Sequence, residues 1–292
     1  IGVRLVGSEM CIRDRANGWG NNDLKLVDNG TAFLRMTEND AWRHIYKVNI
    51  ATGKKTLLTP FDYDVASMHS TTNKHVYYIA SPNNSTQRYL YRVDLKGKGK
   101  DERITPTEFS GLNSYNIAPN ANYAVHVHQS STEVRTVRFV NLPDHKVIRA
   151  LVDNKAYEEK LNTLKLPEVR FSEVTTEEGI TMDVRTILPI DFDASKKYPV
   201  LFHVYGEPWG QEALDTQVGF INVMMAQKGY VIIDMDNRGT PCLKGSEWRK
   251  SIYRKIGVIN TQDQALAAKE LLKLPYLDET RTAVWGWSGG GT

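Results

Sequence analysis

The sequence predicts two regions of different class, an all-β repeat segment over residues 16–153 followed by an α/β segment over residues 154–292. Three observations carry that expectation. Short β-type runs recur with a period in the mid-forties in the first region. In the second, strand-like runs alternate with helix-length segments, and a Gly-x-Ser-x-Gly closes the last strand.

In the first region, residues 24–27, 32–36, 43–50, 76–80, 89–95, 123–129 and 134–142 alternate in polarity or are rich in β-branched and aromatic residues. Between them Asp28-Asn29-Gly30, Ala51-Thr52-Gly53, Pro82-Asn83-Asn84 and Pro119-Asn120-Ala121-Asn122 supply turn chemistry. Tyr46-Lys47-Val48-Asn49 is echoed by Tyr91-Arg92-Val93-Asp94 and more faintly by Arg138-Phe139-Val140-Asn141, and the turns at Asn29, Asn73 and Asn120 repeat with them. About four strands per period is what a β-propeller blade produces, because one blade cannot bury both faces without neighbours. Roughly three blades are visible where closure takes at least four, so these read as the C-terminal blades of a propeller whose earlier blades lie upstream. The alternative is a β-sandwich with coincidental spacing.

In the second region, residues 156–166 are helix-like, and 171–175 and 182–188 form a hairpin about Glu178-Gly179. Two short apolar strands, 199–204 and 230–233, flank a helix-sized segment over 219–228. A second helix is expected to begin near Asn260, with Thr261-x-x-Gln264 at capping-box spacing and Asp263 in the positive first turn. Residues 281–285 then form a strand that runs into Gly286-Trp287-Ser288-Gly289-Gly290. Such alternation implies a mostly parallel sheet with covered faces. A serine in a tight turn at the end of a buried strand is the nucleophile elbow of an α/β-hydrolase, which small neighbours let the backbone make without clashes. The fold class expected is therefore C-terminal β-propeller blades followed by an α/β-hydrolase domain truncated just after its elbow. A glycine-rich turn with an incidental serine is the competing reading of Ser288.

Composition excludes several functions. With 37 basic against 34 acidic residues and no Lys/Arg block, the chain offers no footprint for nucleic acid or an anionic membrane. No window approaches the length of a transmembrane helix. Two cysteines, Cys11 and Cys242, make neither a disulfide framework nor a metal-ligand cluster, and no cofactor motif is present. Residues 1–15 have no apolar core or cleavage site of a secretory signal. They resemble translated sequencing-adapter sequence and are set aside as a non-native leader, the alternative being an ordinary surface strand and turn.

The stretch Ala283-Val284-Trp285-Gly286-Trp287-Ser288-Gly289-Gly290-Gly291-Thr292 resembles the nucleophile segment of prolyl oligopeptidase-family serine peptidases, particularly the dipeptidyl peptidase IV branch. Upstream, Tyr198-Pro199 leading to Tyr205-Gly206-Glu207-Pro208, Asp236-Asn237-Arg238-Gly239-Thr240-Pro241, Trp248-Arg249 and Trp42-Arg43-His44-Ile45 resemble the same branch, so the likeness runs over residues 18–292. It implies Ser288 as nucleophile, with the Gly289 backbone N–H and the Tyr205 phenol as oxyanion hole. Position 289 is tyrosine in several relatives and glycine here, which keeps the backbone donor and loses the ring. The triad aspartate and histidine follow the serine in this family, and only four residues follow Ser288, so both are expected to be absent and the 292-residue polypeptide inactive.

The resemblance further implies a peptide substrate cleaved through an acyl-enzyme with release of X-Pro-like N-terminal dipeptides. It also implies homodimerisation of the full-length protein and periplasmic or extracellular residence. The glutamate pair that reads the peptide amine belongs upstream; Glu158-Glu159 in a helix-like linker and Glu177-Glu178 in a hairpin turn are no substitute. Two alternatives stay open: an acylaminoacyl peptidase, oligopeptidase or esterase on the same fold, and a non-catalytic propeller interaction protein.

Other candidates are weighed on chemistry. His203 precedes Tyr205 within a strand, on the wrong side of Ser288 for a triad base, and reads as a packed or hydrogen-bonded core histidine. His44, His69, His75, His126, His128 and His145 read as blade residues. Glu207 and Asp234 lie near strand ends, facing the site or serving loop solvation and capping. For Asp236 and Arg238, turn hydrogen bonding and a local ion pair are favoured over substrate contact. Tyr205, without the resemblance, would be a packing aromatic.

Overall fold

The computed structural model describes residues 24–291, so the leader assigned to residues 1–15 lies outside the described residues. Within these residues the chain clusters into two units, one up to residue 154 together with 243–247, the other made of 155–242 and 248–291.

The first unit holds three four-stranded antiparallel sheets, each a meander in chain order. They are β1 (Leu24–Val27), β2 (Ala32–Thr37), β3 (His44–Asn49) and β4 (Lys55–Leu57); β5 (Val65–Thr71), β6 (His75–Ala80), β7 (Tyr89–Asp94) and β8 (Glu102–Arg103); and β9 (Leu112–Ile117), β10 (Tyr123–Gln129), β11 (Thr136–Asn141) and β12 (Val147–Val152). The sequence repeat is one sheet. Its echoing tetrapeptides all lie in third strands, and the Asn29, Asn73 and Asn120 turns all join first strand to second. None of the sheets closes on itself.

Packing explains why a single sheet would not stand alone. Along β6 the side chains alternate, Val76, Tyr78 and Ala80 joining Leu34, Met36 and Ile45 in one core, while Tyr77 and Ile79 join Tyr115, Ala124 and Val140 in another. The middle sheet is thus buried on both faces, and each core needs two sheets to exist.

The six histidines of this unit lie in β3, β5, β6, β10 and the β11–β12 turn, and three of them converge. His126, His128 and His145 are buried around Phe109, with ring centroids 5.1, 5.3 and 5.5 Å from it. His126 Nε2 lies 2.8 Å from Asn113 Oδ1, and His145 Nε2 lies 2.9 Å from the Tyr115 hydroxyl. Burial pushes His126 down to about 2 and His145 down to about 4, from an ordinary 6.5. Between 6.5 and those values the unfolded chain binds more protons than the folded one. Stability is therefore fully present above 6.5 and falls as pH drops through that window. Each histidine is expected to cost on the order of 2 kcal/mol between about pH 6.5 and about pH 5. Urea-unfolding midpoints across that range measure it; a flat profile would show that the rings take up protons without leaving their sites.

The second unit contains α1 (Lys155–Leu161), β13 (Val169–Thr175), β14 (Thr181–Ile187), β15 (Tyr198–Val204), α2 (Phe220–Gln227), β16 (Val231–Met235), α3 (Gly245–Lys250), whose first residues cluster with the other unit, α4 (Ile259–Leu271) and β17 (Leu277–Gly286). One five-stranded sheet runs in the order β13-β14-β16-β15-β17. Only β16, β15 and β17 are mutually parallel; β13 pairs with β14, and β14 with β16, antiparallel. The expectation of a mostly parallel sheet therefore holds for its three-stranded end alone, because the short turn between β13 and β14 can only reverse the chain. Helix α4 covers one face, with Ala267 and Leu271 against Phe202 and Ile233, and α2 covers the other, with Ala226 against Leu201 and Ile232.

Helix α4 corrects the capping-box expectation. It begins at Ile259, two residues before Thr261, and Val258 precedes it without a side-chain cap. Thr261 lies inside the helix and donates to the Gly257 carbonyl at 3.1 Å, while Asp263 and Gln264 are buried and turned toward the strand ends. No helix among the described residues is long and apolar enough to cross a membrane.

Candidate active site

Strand register sets the site. In the parallel pair β15 and β17, Val204 lies opposite Gly286, so the chain leaves both strands at one edge of the sheet. Tyr205 follows from the first and Trp287-Ser288 from the second. Ser288 opens a 3-10 turn, Ser288–Gly291, closed by the Gly290 N–H donating to the Trp287 carbonyl at 3.0 Å. Its φ of 54° is left-handed, a conformation that costs a residue with a Cβ roughly 1 kcal/mol or more. A Cβ on Gly286 or Gly290 would overlap the Val204 carbonyl oxygen, and one on Gly290 would also lie 3.0 Å from the Tyr205 Cα. The two outer glycines of the motif are thus required by the β15 backbone. At Gly289 a Cβ would fall on the Glu207 side chain instead.

Tyr205 is half-buried, and its ring packs on Gly210, where a Cβ would come within 2.9 Å of it. The loop that carries both is held at its far end by buried charges. Asp236 accepts the Glu212 and Ala213 backbone N–H groups at 2.8 and 3.0 Å. Arg185 donates to the Leu214 carbonyl at 3.0 Å and to the Thr216 hydroxyl at 3.1 Å, and Asn237 donates to the Gly206 carbonyl at 3.1 Å. Burial pushes the Asp236 carboxyl up to about 7 against those two backbone donors. The local ion pair expected between Asp236 and Arg238 does not form. Arg238 turns to Asp263, at 2.6 Å on helix α4, because Asp236 is occupied by the loop.

A polar row crosses the sheet beside the elbow. Arg185, Asp234, His203 and Trp285 are consecutive register partners on β14, β16, β15 and β17. Arg185 Nε donates to Asp234 Oδ2 at 2.6 Å, His203 Nδ1 lies 2.7 Å from Asp234 Oδ1, and the His203 ring packs on Trp285 with centroids 4.8 Å apart. The hydrogen bond to Asp234 raises the His203 pKa, opposed by burial, and Glu212 adds to the rise from 3.7 Å. His203 is thus a hydrogen-bonded sheet residue, and Asp234 is its fully buried partner rather than a loop cap.

His203, Glu212 and Asp234 bring their ligand atoms within 4.8 Å of one another, a donor set a cation could use. Arg185 already supplies positive charge there by taking the second Asp234 oxygen, which weakens the case for a metal. Arg185 and Glu212 are the residues sequence reasoning missed. The signal for Arg185 was a charge inside the apolar run of β14, which demands a buried partner; Glu212, in a polar loop, had none.

Ser288, Tyr205 and Gly289 therefore come together at one sheet edge, and Tyr205, Gly289 and Gly290 share with Gln264 and Val284 a cavity of about 390 Å³. The elbow offers a hydroxyl on a strained turn with the Gly289 backbone N–H next to it, and the Tyr205 backbone lies against Gly290 of the same turn.

The profile of the dipeptidyl peptidase IV (DPP IV) N-terminal region matches residues 5–134, and that of the prolyl oligopeptidase family matches residues 216–292. The chain is 30% identical to dipeptidyl peptidase 4 of Trichophyton equinum and of Arthroderma otae, each match covering 96% of this chain and 37% of the relative. It superimposes on the crystal structure of Porphyromonas gingivalis dipeptidyl peptidase 4 with a TM-score of 0.85 and 30% identity, over 92% of this chain and 37% of that one. The chain thus spans well under half the length of these relatives.

Proposed function

The chain belongs to the prolyl oligopeptidase family, and on that premise we propose that it carries the nucleophile and oxyanion-binding part of a serine peptidase that releases N-terminal dipeptides. The observation that carries the reading is the left-handed Ser288 at a strand end whose register brings Tyr205 beside it. In this reading the three four-stranded sheets are propeller blades, and the five-stranded sheet with its helices is the start of an α/β-hydrolase domain. Ser288 Oγ attacks the scissile carbonyl, and its proton goes to a histidine oriented by an aspartate, both contributed from outside this sequence. The Gly289 N–H and the Tyr205 hydroxyl donate to the tetrahedral oxyanion, which collapses to the acyl-enzyme as the C–N bond breaks and the amine leaves with the histidine's proton, and water then hydrolyses the ester to release the dipeptide and restore the serine. The carboxylate of Asp236 and the guanidinium of Arg185 hold the loop that carries Tyr205. The full-length protein is read as a homodimer, by likeness to the family alone.

The experiment is to incubate the full-length protein with a ten-residue peptide beginning Ala-Pro and follow the products by mass spectrometry. Stepwise loss of the Ala-Pro dipeptide is expected. Internal cleavage would replace the reading by an oligopeptidase, release of an acylated residue from an acetylated peptide by an acylaminoacyl peptidase, and no cleavage by an interaction protein.

A further inference from the structure

An antiparallel meander puts the turn between its first and second strands and the turn between its third and fourth strands at the same end of the sheet. In the first two sheets that end is rich in lysine. Lys54 and Lys55 stand at the β3–β4 turn, Lys74 at the β5–β6 turn, and Lys96, Lys98 and Lys100 in the β7–β8 turn, all of them exposed. The two sheet ends lie side by side, since Asn29 and Asn73 line one cavity and a Cβ on Gly97 would come within 2.9 Å of the Leu57 carbonyl oxygen and 3.0 Å of the Thr56 methyl. Lys96 and Lys98 thus flank a glycine that touches the residues directly after Lys55.

Along the sequence this charge is masked, because Asp94, Asp101 and Glu102 alternate with the lysines of the β7–β8 turn. The fold takes those acids out of the balance. Asp94 accepts the Lys96 backbone N–H at 2.6 Å, Asp101 accepts from the hydroxyl of buried Tyr63 at 2.6 Å, and Glu102 pairs with Arg92 at 2.7 Å. Asp28, in the β1–β2 turn, pairs with Lys47 at 3.2 Å. Among the described residues no hydrogen bond or ion pair engages the six lysine ammonium groups. The third sheet's matching turn carries both Asp144 and Lys146, so the excess of positive charge is confined to the first two sheets.

Like charges held together repel, and a partner of opposite sign relieves the repulsion as it binds. The lysines sit on turn tips at one end of stacked sheets, which spreads them over a face rather than along a groove. They are point charges on flexible stems, with no arginine fork among them, and none of the three turns holds an aromatic residue on which a base could stack. That chemistry fits phosphates spread over a plane better than a nucleic-acid strand. We propose that this end of the first two sheets docks the protein on an anionic phospholipid surface, with Lys54, Lys55, Lys74, Lys96, Lys98 and Lys100 against its phosphate headgroups. The proposal is independent of the role given to Ser288.

The test is co-sedimentation of the full-length protein with vesicles of phosphatidylcholine, alone or with about a third phosphatidylglycerol. Binding is expected only to the anionic vesicles, with release in about 1 M salt, where screening confines each charge to about 3 Å. Replacing Lys96, Lys98 and Lys100 together by glutamine is expected to weaken that binding on the order of a hundredfold, at roughly fivefold per lysine. A control variant with Lys160, Lys197 and Lys228 changed to glutamine removes the same charge from exposed positions in the other unit and is expected to bind within about threefold of wild type. Both variants should keep the wild-type thermal midpoint to within a few degrees, since only exposed side chains change. No binding to the anionic vesicles, or an equal loss in the two variants, would overturn the proposal, the second by reducing it to net charge. Tighter binding to a single-stranded oligonucleotide than to the vesicles, lost in the Lys96, Lys98 and Lys100 variant, would replace the membrane by nucleic acid.

Discussion

Replacing Ser288 by alanine in the full-length protein is expected to lower turnover of an Ala-Pro anilide by on the order of 10⁵–10⁶ and to abolish labelling by a fluorophosphonate. Among the described residues of the elbow turn, Ser288 alone carries a hydroxyl. The turn contributes only Trp287 and three glycines around the serine. Alanine also carries a Cβ, so the variant keeps whatever strain the left-handed φ imposes, and the fold has no reason to change. A thermal midpoint within a few degrees of wild type is the companion measurement. Labelling that persists in the variant would move the nucleophile elsewhere and leave the elbow a structural turn.

Tyr205→Phe is expected to cost roughly 10²–10³ in kcat with KM little changed. The phenyl ring keeps its packing against Gly210, and the loop behind it keeps its anchors on Asp236 and Arg185, so only the hydroxyl donor is removed. That donor acts on a charge that exists only after attack, which is why the loss belongs to kcat. If instead KM rises while kcat holds, Tyr205 contacts the substrate rather than the oxyanion.

The parts of the fold legible in the sequence were those where local pattern and burial agree. β3, β7 and β11 are rich in aromatic and β-branched residues, and they repeat. The strands that escaped notice fail that test in two ways. β4 and β8 are three and two residues long, and β12 is exposed along its whole length, so none has a buried face to imprint a period. β5 and β9 bury polar side chains, as where Asn113 donates to the Arg88 and Phe109 carbonyls, and a buried asparagine reads in sequence as a turn residue. At the site, Ser288 announced itself because its constraints are local, whereas the supports of Tyr205 were hidden by distance. Arg185 and Asp234 are 49 residues apart, and Asp236 and Glu212 are 24 apart. A buried charge tells a reader that a partner exists without telling which. Thr261 and Gln264 misled for the reverse reason, since their spacing matched a local motif while tertiary contacts claimed Gln264, whose amide donates to the Met235 carbonyl at 2.9 Å.

The row from Arg185 through Asp234 and His203 to Trp285 has a consequence for how the strands find one another. β15 and β16 bear apolar residues on both faces, so alternation alone does little to tell the correct pairing from one shifted by a residue. In the native register His203 faces Asp234, whereas a slip of one residue sets Asp234 against Phe202 or Val204. That would leave one oxygen of a fully buried carboxylate without its imidazole while Arg185 still holds the other, a penalty of about 1.5–3 kcal/mol. The ion pair thus works as an alignment mark, adding little to the stability of the correct sheet and much to the instability of its misaligned competitors. Because Val204 must meet Gly286 for the elbow to close, the same mark that aligns the strands also fixes where the serine emerges.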